Sequence, residues 1–208
     1  MSINIPVSAI ILAAGESTRM GIPKQLLPIG CTTMLGKVLD VLLSSQAEEI
    51  IVVVGYKTED VVKSIRGKPV KMAFNRYYEQ GMSTSIRAGL SLTSDKARGF
   101  MFALGDQPFV DVKIIDSLIQ AFACQGKGIV VPVYEGRRGH PVIFSTKYKT
   151  ELTSLKGDVG GKVIIANHKE DIFEVPVNSR AIIDDIDTID EYIAEQRRIL
   201  CDDSGFMF

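Results

Sequence analysis

Residues Ala9–Pro28 read AIILAAGESTRMGIPKQLLP. The apolar run Ile10-Ile11-Leu12 gives way to Ala13, Ala14 and Gly15, then to the polar loop Glu16-Ser17-Thr18 and two separated cations, Arg19 and Lys24. The run has the composition of a parallel strand buried on both faces. Small residues behind such a strand let the backbone approach a ligand closely, and Gly15 permits a positive φ there. Successive loop N–H groups make an anion-binding concavity, and the two cations add full charge beside it. The stretch predicts a turn that holds a polyphosphate at the end of a buried strand, against the plainer reading of an ordinary strand–loop in an α/β domain.

Two familiar phosphate loops do not fit. The dinucleotide fingerprint G-x-G-x-x-G fails because Ala13 stands where its first glycine would follow the strand. The Walker A motif G-x-x-x-x-G-K-[ST] fails because Gly15 and Gly21 are one residue too far apart and Ile22 follows. The Gly-Gly-Lys ending at Lys162 is followed by Val163 and has Lys156 in place of the first glycine. The pattern L-A-A-G-x-S-x-R-M-G-x-P-K over Leu12–Lys24 instead resembles the MobA-like nucleotidyltransferases, and within them the molybdenum cofactor cytidylyltransferase branch. That resemblance implies an α/β fold: a single-domain, three-layer αβα Rossmann-like nucleotidyltransferase with a mostly parallel sheet and a small β insertion. Residues 1–200 would form the domain and 201–208 a disordered tail.

Bulk properties agree with one α/β domain. A chain of 208 residues matches the usual domain size and buries a core without staples. A formal net charge of −1 argues against a general nucleic-acid binder, which carries a basic excess. Cys31, Cys124 and Cys201 are odd in number and far apart, so neither a disulfide framework nor a Cys-x-x-Cys metal pair is expected. A reducing cytoplasm is the natural setting. The N-terminal apolar run is short and broken by Pro6, unlike a signal peptide, and no apolar stretch approaches the roughly 20 residues that span a bilayer.

Strand and helix patterns alternate along the chain, which predicts a sheet covered on both faces. Strands are expected over 49–54, 70–74, 99–104, 128–134, 172–177 and 181–183, and helices over 34–43, 59–65, 83–92, 112–123, 162–167 and 189–199. The polar turn 135–139 leading to 142–144 predicts a hairpin or edge insertion. Ligands of open α/β sheets lie outside the carboxyl ends of the strands. The loops Ala13–Lys24, Asn75–Ser85, Gly105–Pro108 and Asp184–Thr188 all fall there.

Asp106, in ALGDQP, is delivered to the sheet edge by an apolar strand. It has the chemistry of a Mg²⁺ ligand, because Mg²⁺ takes one or two carboxylates and completes its shell with phosphate and water; a turn or cap role is the alternative. Asp185 and Asp187, in DDIDTID, are candidates for a second metal contact, while Asp187-Thr188 also suits a helix cap. Asn75 suits a base or ribose edge, and Gly81, Ser83 and Ser85 precede a helix whose N-terminus favours anions, with Ser83 as its cap. The resemblance places nucleotide contacts at Leu12, Ala13, Ala14, Gly15, Ser17, Arg19, Lys24, Asn75, Gly81, Ser83 and Ser85. It makes Arg19, Lys24 and Asp106 catalytic and Asp106 with Asp187 metal-binding, and it puts Gln107, Pro108, His140 and Asp158 at the acceptor. His140 stands where asparagine is usual in that branch, and Ile189 where proline is usual.

These expectations compose one reaction. An acceptor phosphate, already nucleophilic at neutral pH, attacks the α-phosphorus of an NTP and releases pyrophosphate, with catalysis by positioning and charge neutralisation. Resemblance alone favours CTP over GTP, since guanylyl-transferring relatives have glycine where this chain has Ala14. It also implies Mg²⁺, molybdopterin as acceptor, and a molybdenum hydroxylase apoenzyme such as xanthine dehydrogenase as partner, with no nucleic-acid or membrane partner. Three rivals stay open: a cytidylyl- or guanylyltransferase for another phosphorylated acceptor, an oxidoreductase on the same fold needing no metal on Asp106, and a molybdopterin-binding maturation factor that yields no pyrophosphate.

Overall fold

The computed structural model describes residues 5–17, 20–186 and 188–204, with side chains through residue 196. In chain order its elements are β1 (Val7–Ala13), β2 (Pro28–Ile29), β3 (Thr32–Thr33), α1 (Met34–Leu43), β4 (Glu49–Val54), α2 (Thr58–Ser64), β5 (Lys71–Phe74), α3 (Met82–Leu90), β6 (Gly99–Leu104) and α4 (Val112–Cys124). There follow β7 (Ile129–Tyr134), β8 (Arg137–Arg138), β9 (Val142–Ser145), α5 (Lys149–Ser154), α6 (Lys162–Asn167), β10 (Ile172–Pro176) and α7 (Ile189–Ser204). Among the described residues no helix is long and apolar enough to cross a membrane.

The main sheet runs β10-β7-β9-β6-β1-β4-β5, with β8 hairpinned onto β7. β1 lies between two parallel partners, pairing Leu12 with Val53 of β4 and with Leu104 of β6. Its neighbours explain its composition, because both faces are covered. Val7, Ala9, Ile11 and Ala13 face a core with α1, α2 and α4. Ile10 faces a second core with α3, α5 and α6. This is the expected three-layer α/β arrangement. Helix starts also follow local chemistry: the Thr33 side chain accepts from the Gly36 N–H at the start of α1, and Asp111 accepts from Ile114 at the start of α4, the usual N-cap device.

Two expectations have a different outcome in the structure, and one element was not foreseen. Of the two outcomes expected for 135–144, the hairpin forms, since β9 runs antiparallel to β7; it is not an edge insertion, because β9 also pairs with β6 and so lies inside the sheet. Its residues Val142, Ile143 and Phe144 are buried, and a continuous apolar run does not tell an internal strand from a peripheral one. The segment 181–183 is not a strand but the end of a single turn of 3₁₀ helix, Arg180–Ile182, whose Ile182 is fully buried; one inward side chain is enough to make a short apolar segment look like a strand. The short β2–β3 hairpin was not foreseen, since two paired residues carry no alternation. α7 itself runs to Ser204. Residues 205–208 lie outside the described residues. A capping box opens this helix: Thr188 Oγ1 accepts from the Glu191 N–H while the Glu191 carboxylate accepts from the Thr188 N–H.

Glu49 ties the far end of the sheet together. Its carboxylate accepts from Lys71 Nζ at 2.7 Å, from Ser8 Oγ at 2.5 Å and from the Ser94 N–H at 2.7 Å. Burial pushes its pKa up, but the three donors outweigh it and hold the group below its ordinary value. A carboxylate with a depressed folded-state pKa contributes stability that is present above its unfolded value and lost as pH falls through the folded one. Glu49→Gln will therefore lower the urea midpoint at pH 7, and the gap to the unmodified chain will narrow at pH 3; a gap that is equal at both would contradict the assignment.

Candidate active site

The loop after β1 is shaped by hydrogen bonds rather than by glycine freedom at the expected place. The left-handed residues are Ser17, at φ 54°, and Gly21, at φ 67°; Gly15 is not among them. The Ser17 carbonyl accepts from the Met20 and Gly21 N–H groups, and its hydroxyl accepts from the Lys24 N–H at 3.1 Å. A non-glycine residue in the left-handed region carries strain that its surroundings must hold, and these bonds hold it. Gly15 matters for its missing side chain: it lines the cleft, and a Cβ there would meet no atom within 4 Å. The space is left for a ligand. Thr18 and Arg19 lie outside the described residues, so the expected role of Arg19 has no structural counterpart here.

The cleft occupies the carboxyl edge of the sheet, about 340 Å³ in volume. The β1 loop contributes Leu12 to Gly15, Ser17, Lys24 and Gln25; the β5–α3 loop contributes Tyr78, Gly81, Met82 and Ser85; the end of β6 contributes Leu104, Gly105 and Asp106; two later loops contribute Asp158 and Asp185. All four sequence-predicted loops meet there, joined by the Asp158 loop. Parallel pairing is the reason for three of them: β1, β4, β5 and β6 run the same way, so their following loops emerge at one edge, while the segment 184–188 follows the 3₁₀ turn Arg180–Ile182.

Lys24 and Asp106 face each other, Nζ to Oδ2 at 3.5 Å. Lys24 is 7% exposed and a buried cation requires compensation; the carboxylate supplies part of it. The Asp106 side chain opens to the cleft, at 30% exposure, yet the protein around it pushes its pKa up; Lys24 counters this and Asp185 adds to it. Two adjacent carboxylates beside a phosphate-sized space fit a hard divalent cation, which favours oxygen ligands and completes its shell from phosphate and water. Among the described residues no group of three or more His, Cys, Asp or Glu side chains gathers, so the donor set suits a shared cation and not an all-protein cage. Asp187, the expected second ligand, lies outside the described residues.

Asn75, Ser83, Gln107, Pro108 and His140 do not line the cleft. Asn75 is buried and its side chain is committed: Nδ2 donates to Thr84 Oγ1 at 2.8 Å and to Ser85 Oγ at 3.0 Å, and Oδ1 accepts from the Tyr77 N–H. It organises the loop that carries Tyr78, Gly81 and Ser85. Ser83 is fully buried and is not the helix cap. Gly81 holds that position, and the Asp158 carboxylate accepts from the Met82 N–H across the cleft rim. Asp158 thus caps α3 rather than its own helix. A Cβ on Gly81 would lie 2.4 Å from the Asp158 nitrogen, so only glycine lets the two loops close to this distance. Gln107 is buried beneath the sheet edge near Val38, Val110 and Pro141. The His140 N–H donates to the Ile182 carbonyl at 2.8 Å and its Nδ1 is buried without a partner; burial pushes the imidazole pKa down.

Gln25 and Tyr78 are among the cleft residues with no counterpart among the expected site residues. Gln25 is 5% exposed, and its Nε2 donates to the Ala13 carbonyl at 3.2 Å and the Gly15 carbonyl at 3.3 Å. A polar side chain directly after Lys24, ahead of Leu26-Leu27, was the available signal: the 3₁₀ turn Lys24–Leu26 buries both Lys24 and Gln25. Tyr78 lies between Tyr77 and Glu79 in a loop without periodicity and carried no signal.

Comparison with known proteins fits this geometry. Residues 9–172 match the MobA-like NTP transferase domain. The chain is 25% identical over 194 residues to nicotine blue oxidoreductase of Paenarthrobacter nicotinovorans, covering 89% of this chain and 94% of that protein. It is 25% identical over 202 residues to the molybdenum cofactor cytidylyltransferase of Escherichia coli K12, covering 92% and 96%. The crystal structure of Mycobacterium tuberculosis Rv0371c in complex with manganese superposes with a TM-score of 0.80 at 29% identity, covering 92% of this chain and 98% of that one.

Because Gln25 donates to two carbonyls of the β1 loop, Gln25→Leu removes a donor from each. Each unsatisfied buried group costs on the order of 1–3 kcal/mol. Thermal denaturation will show the loss, and calorimetric titration with a nucleoside triphosphate will show weakened binding; unchanged values in both would remove Gln25 from the site.

Proposed function

Because the chain belongs to the MobA-like NTP transferase family, an enzyme family of nucleotidyl transfer, we propose that it moves the cytidylyl group of CTP onto the phosphate of molybdopterin or its molybdenum-loaded form. The product would be a cytosine dinucleotide cofactor, destined for a molybdenum hydroxylase such as xanthine dehydrogenase, and the setting would be the cytoplasm. The observation that carries the reading is the 3.5 Å approach of Lys24 to Asp106 inside a cleft lined by the β1 loop. One cation and neighbouring carboxylates around a phosphate-sized space suit a reaction in which charge moves between phosphates. The choice of a cytidylyl donor and a molybdenum cofactor acceptor is supported by the relative named molybdenum cofactor cytidylyltransferase.

In this reading the acceptor phosphate oxygen forms a bond to the α-phosphorus as the bond to the β-phosphate oxygen breaks, and pyrophosphate departs with the electron pair. No strong base is needed, because the acceptor is already anionic. Lys24 holds the triphosphate and stabilises the negative charge that grows on the leaving group. Arg19 would act beside it. Asp106, with Asp185 or Asp187, would hold Mg²⁺, which supplies charge neutralisation when bound. Ser17 and Gln25 fix the loop so that its N–H groups are oriented before substrate arrives, which lowers the reorganisation required. Gly81 and Ser85 would face the nucleoside, and Asp158, which lines the cleft among the expected acceptor residues, would stand on the acceptor side.

A second reading is favoured by one finding: a relative of equal identity is an oxidoreductase. Pyrophosphate release separates the two. With each NTP, Mg²⁺ and molybdopterin, release will depend on CTP. Lys24→Ala will reduce kcat/KM by roughly 10²–10³, about 3 kcal/mol of transition-state stabilisation, and Asp106→Ala will abolish Mg²⁺-dependent turnover. Near-normal turnover in Lys24→Ala, or pyrophosphate from no NTP, overturns the proposal.

A further inference from the structure

The cleft is polarised along the sheet. On the β6 side stand its cation and two carboxylates, Lys24, Asp106 and Asp185; on the β4–β5 side stand Ala14, Tyr78, Gly81, Met82 and Ser85, with Asp158 at the rim tied to the Met82 N–H. A metal-chelated triphosphate belongs at the charged end, which leaves the other end to the base. That end is closed by a wall. A Cβ on Gly55, the residue after β4, would lie 2.8 Å from the Tyr78 Cβ and 2.9 Å from the Ala14 methyl. The base of the Tyr78 side chain and the Ala14 methyl are thus packed against Gly55 with no room for a further carbon between them.

The wall is also held in place. Tyr56 donates its N–H to the Ala14 carbonyl at 3.1 Å, and its ring lies 6.3 Å from that of Tyr78, tilted by 57°. Tyr78 opens the 3₁₀ turn Tyr78–Gln80. The turn is anchored in front by Asn75, which accepts from the Tyr77 N–H, and behind by the Gly81 N–H, which donates to the Tyr78 carbonyl. Partial burial and the neighbouring Glu79 and Glu16 carboxylates push the phenol pKa up, so the ring stays neutral.

We propose that Tyr78, backed by Gly55 and Ala14, is the specificity-determining wall of the base pocket and sizes it for a single-ring base. The proposal rests on the nucleotidyl-transfer reading above. A two-ring purine needs depth that a wall packed at its base against Gly55 does not yield, and a rejected fit is an effective source of discrimination.

The test is calorimetric binding of CTP and GTP, each with Mg²⁺, to the full chain and to Tyr78→Ala, Tyr78→Phe and Tyr78→Leu. The unmodified chain will bind CTP tighter than GTP by roughly tenfold or more, the scale that pocket size alone achieves. Tyr78→Ala will bring the ratio close to one, mainly by tighter GTP binding. Tyr78→Phe will keep the original ratio, because the ring and not the hydroxyl sets the size. Tyr78→Leu gives the same readout as alanine should the alanine chain not fold. A ratio unmoved by loss of the ring, a ratio already near one in the unmodified chain, or a ratio lost in Tyr78→Phe overturns the proposal. Selective binding that responds as expected, without pyrophosphate release, would sink the transfer reaction while leaving the wall standing.

Discussion

Lys24 and Asp106 stand 82 positions apart in the chain and meet at 3.5 Å. Each is a poor candidate for burial alone, since a lysine taken out of water and a carboxyl enclosed by protein both disfavour their charged forms. Their proximity is possible because β1 and β6 pair in parallel, Leu12 beside Leu104, with the Gly105 N–H extending the ladder to the Leu12 carbonyl at 3.2 Å. The residues that follow the two strands must then share an edge. Asp185 crowds the same carboxylate with a like charge. Removing the pairing of these two strands would scatter the charges that give the cleft its chemistry.

Around this pair the loops are fastened mainly through their backbones. Ser17 accepts from three N–H groups, Gln25 donates to two carbonyls and Asp158 accepts from the first turn of α3. A small third core, Met20, Leu27, Ile29, Met34 and Ile186, lies under the β1 loop and joins it to the segment that carries Asp185. The Tyr192 hydroxyl donates to the Pro28 carbonyl at 2.8 Å, so α7 is tied to the same hairpin. The polar groups of the cleft are thereby held in place by the fold itself, the condition under which fixed dipoles and charges are most effective.

Several residues with the look of ligand contacts are internal supports. Asn75 has a side chain able to read a base edge, but its neighbours Thr84, Ser85 and Tyr77 use it. Gln107 follows the candidate metal ligand directly, yet faces Val38 and Pro141 beneath the edge. Residue type states what a side chain can bond to, whereas the direction it faces depends on the turn it occupies. The reverse holds for Tyr78, whose type is unremarked in sequence and whose position makes it a wall of the cleft.

The amino-acid sequence by itself determined the alternation of strands and helices, the buried character of β1 and the family pattern from Leu12 to Lys24, because burial on both faces and close approach to a ligand each restrict composition over consecutive residues. It also brought Asp106 and the β1 loop to one edge, since parallel strands leave no other outcome. Only the tertiary structure decided that β9 lies within the sheet, that Ile182 ends a 3₁₀ turn, that Asp158 caps a helix it does not belong to, and that Gln25 and Tyr78 belong to the cleft. Those outcomes come from contacts between distant segments, and such contacts leave no periodicity or spacing in the chain from which to read them.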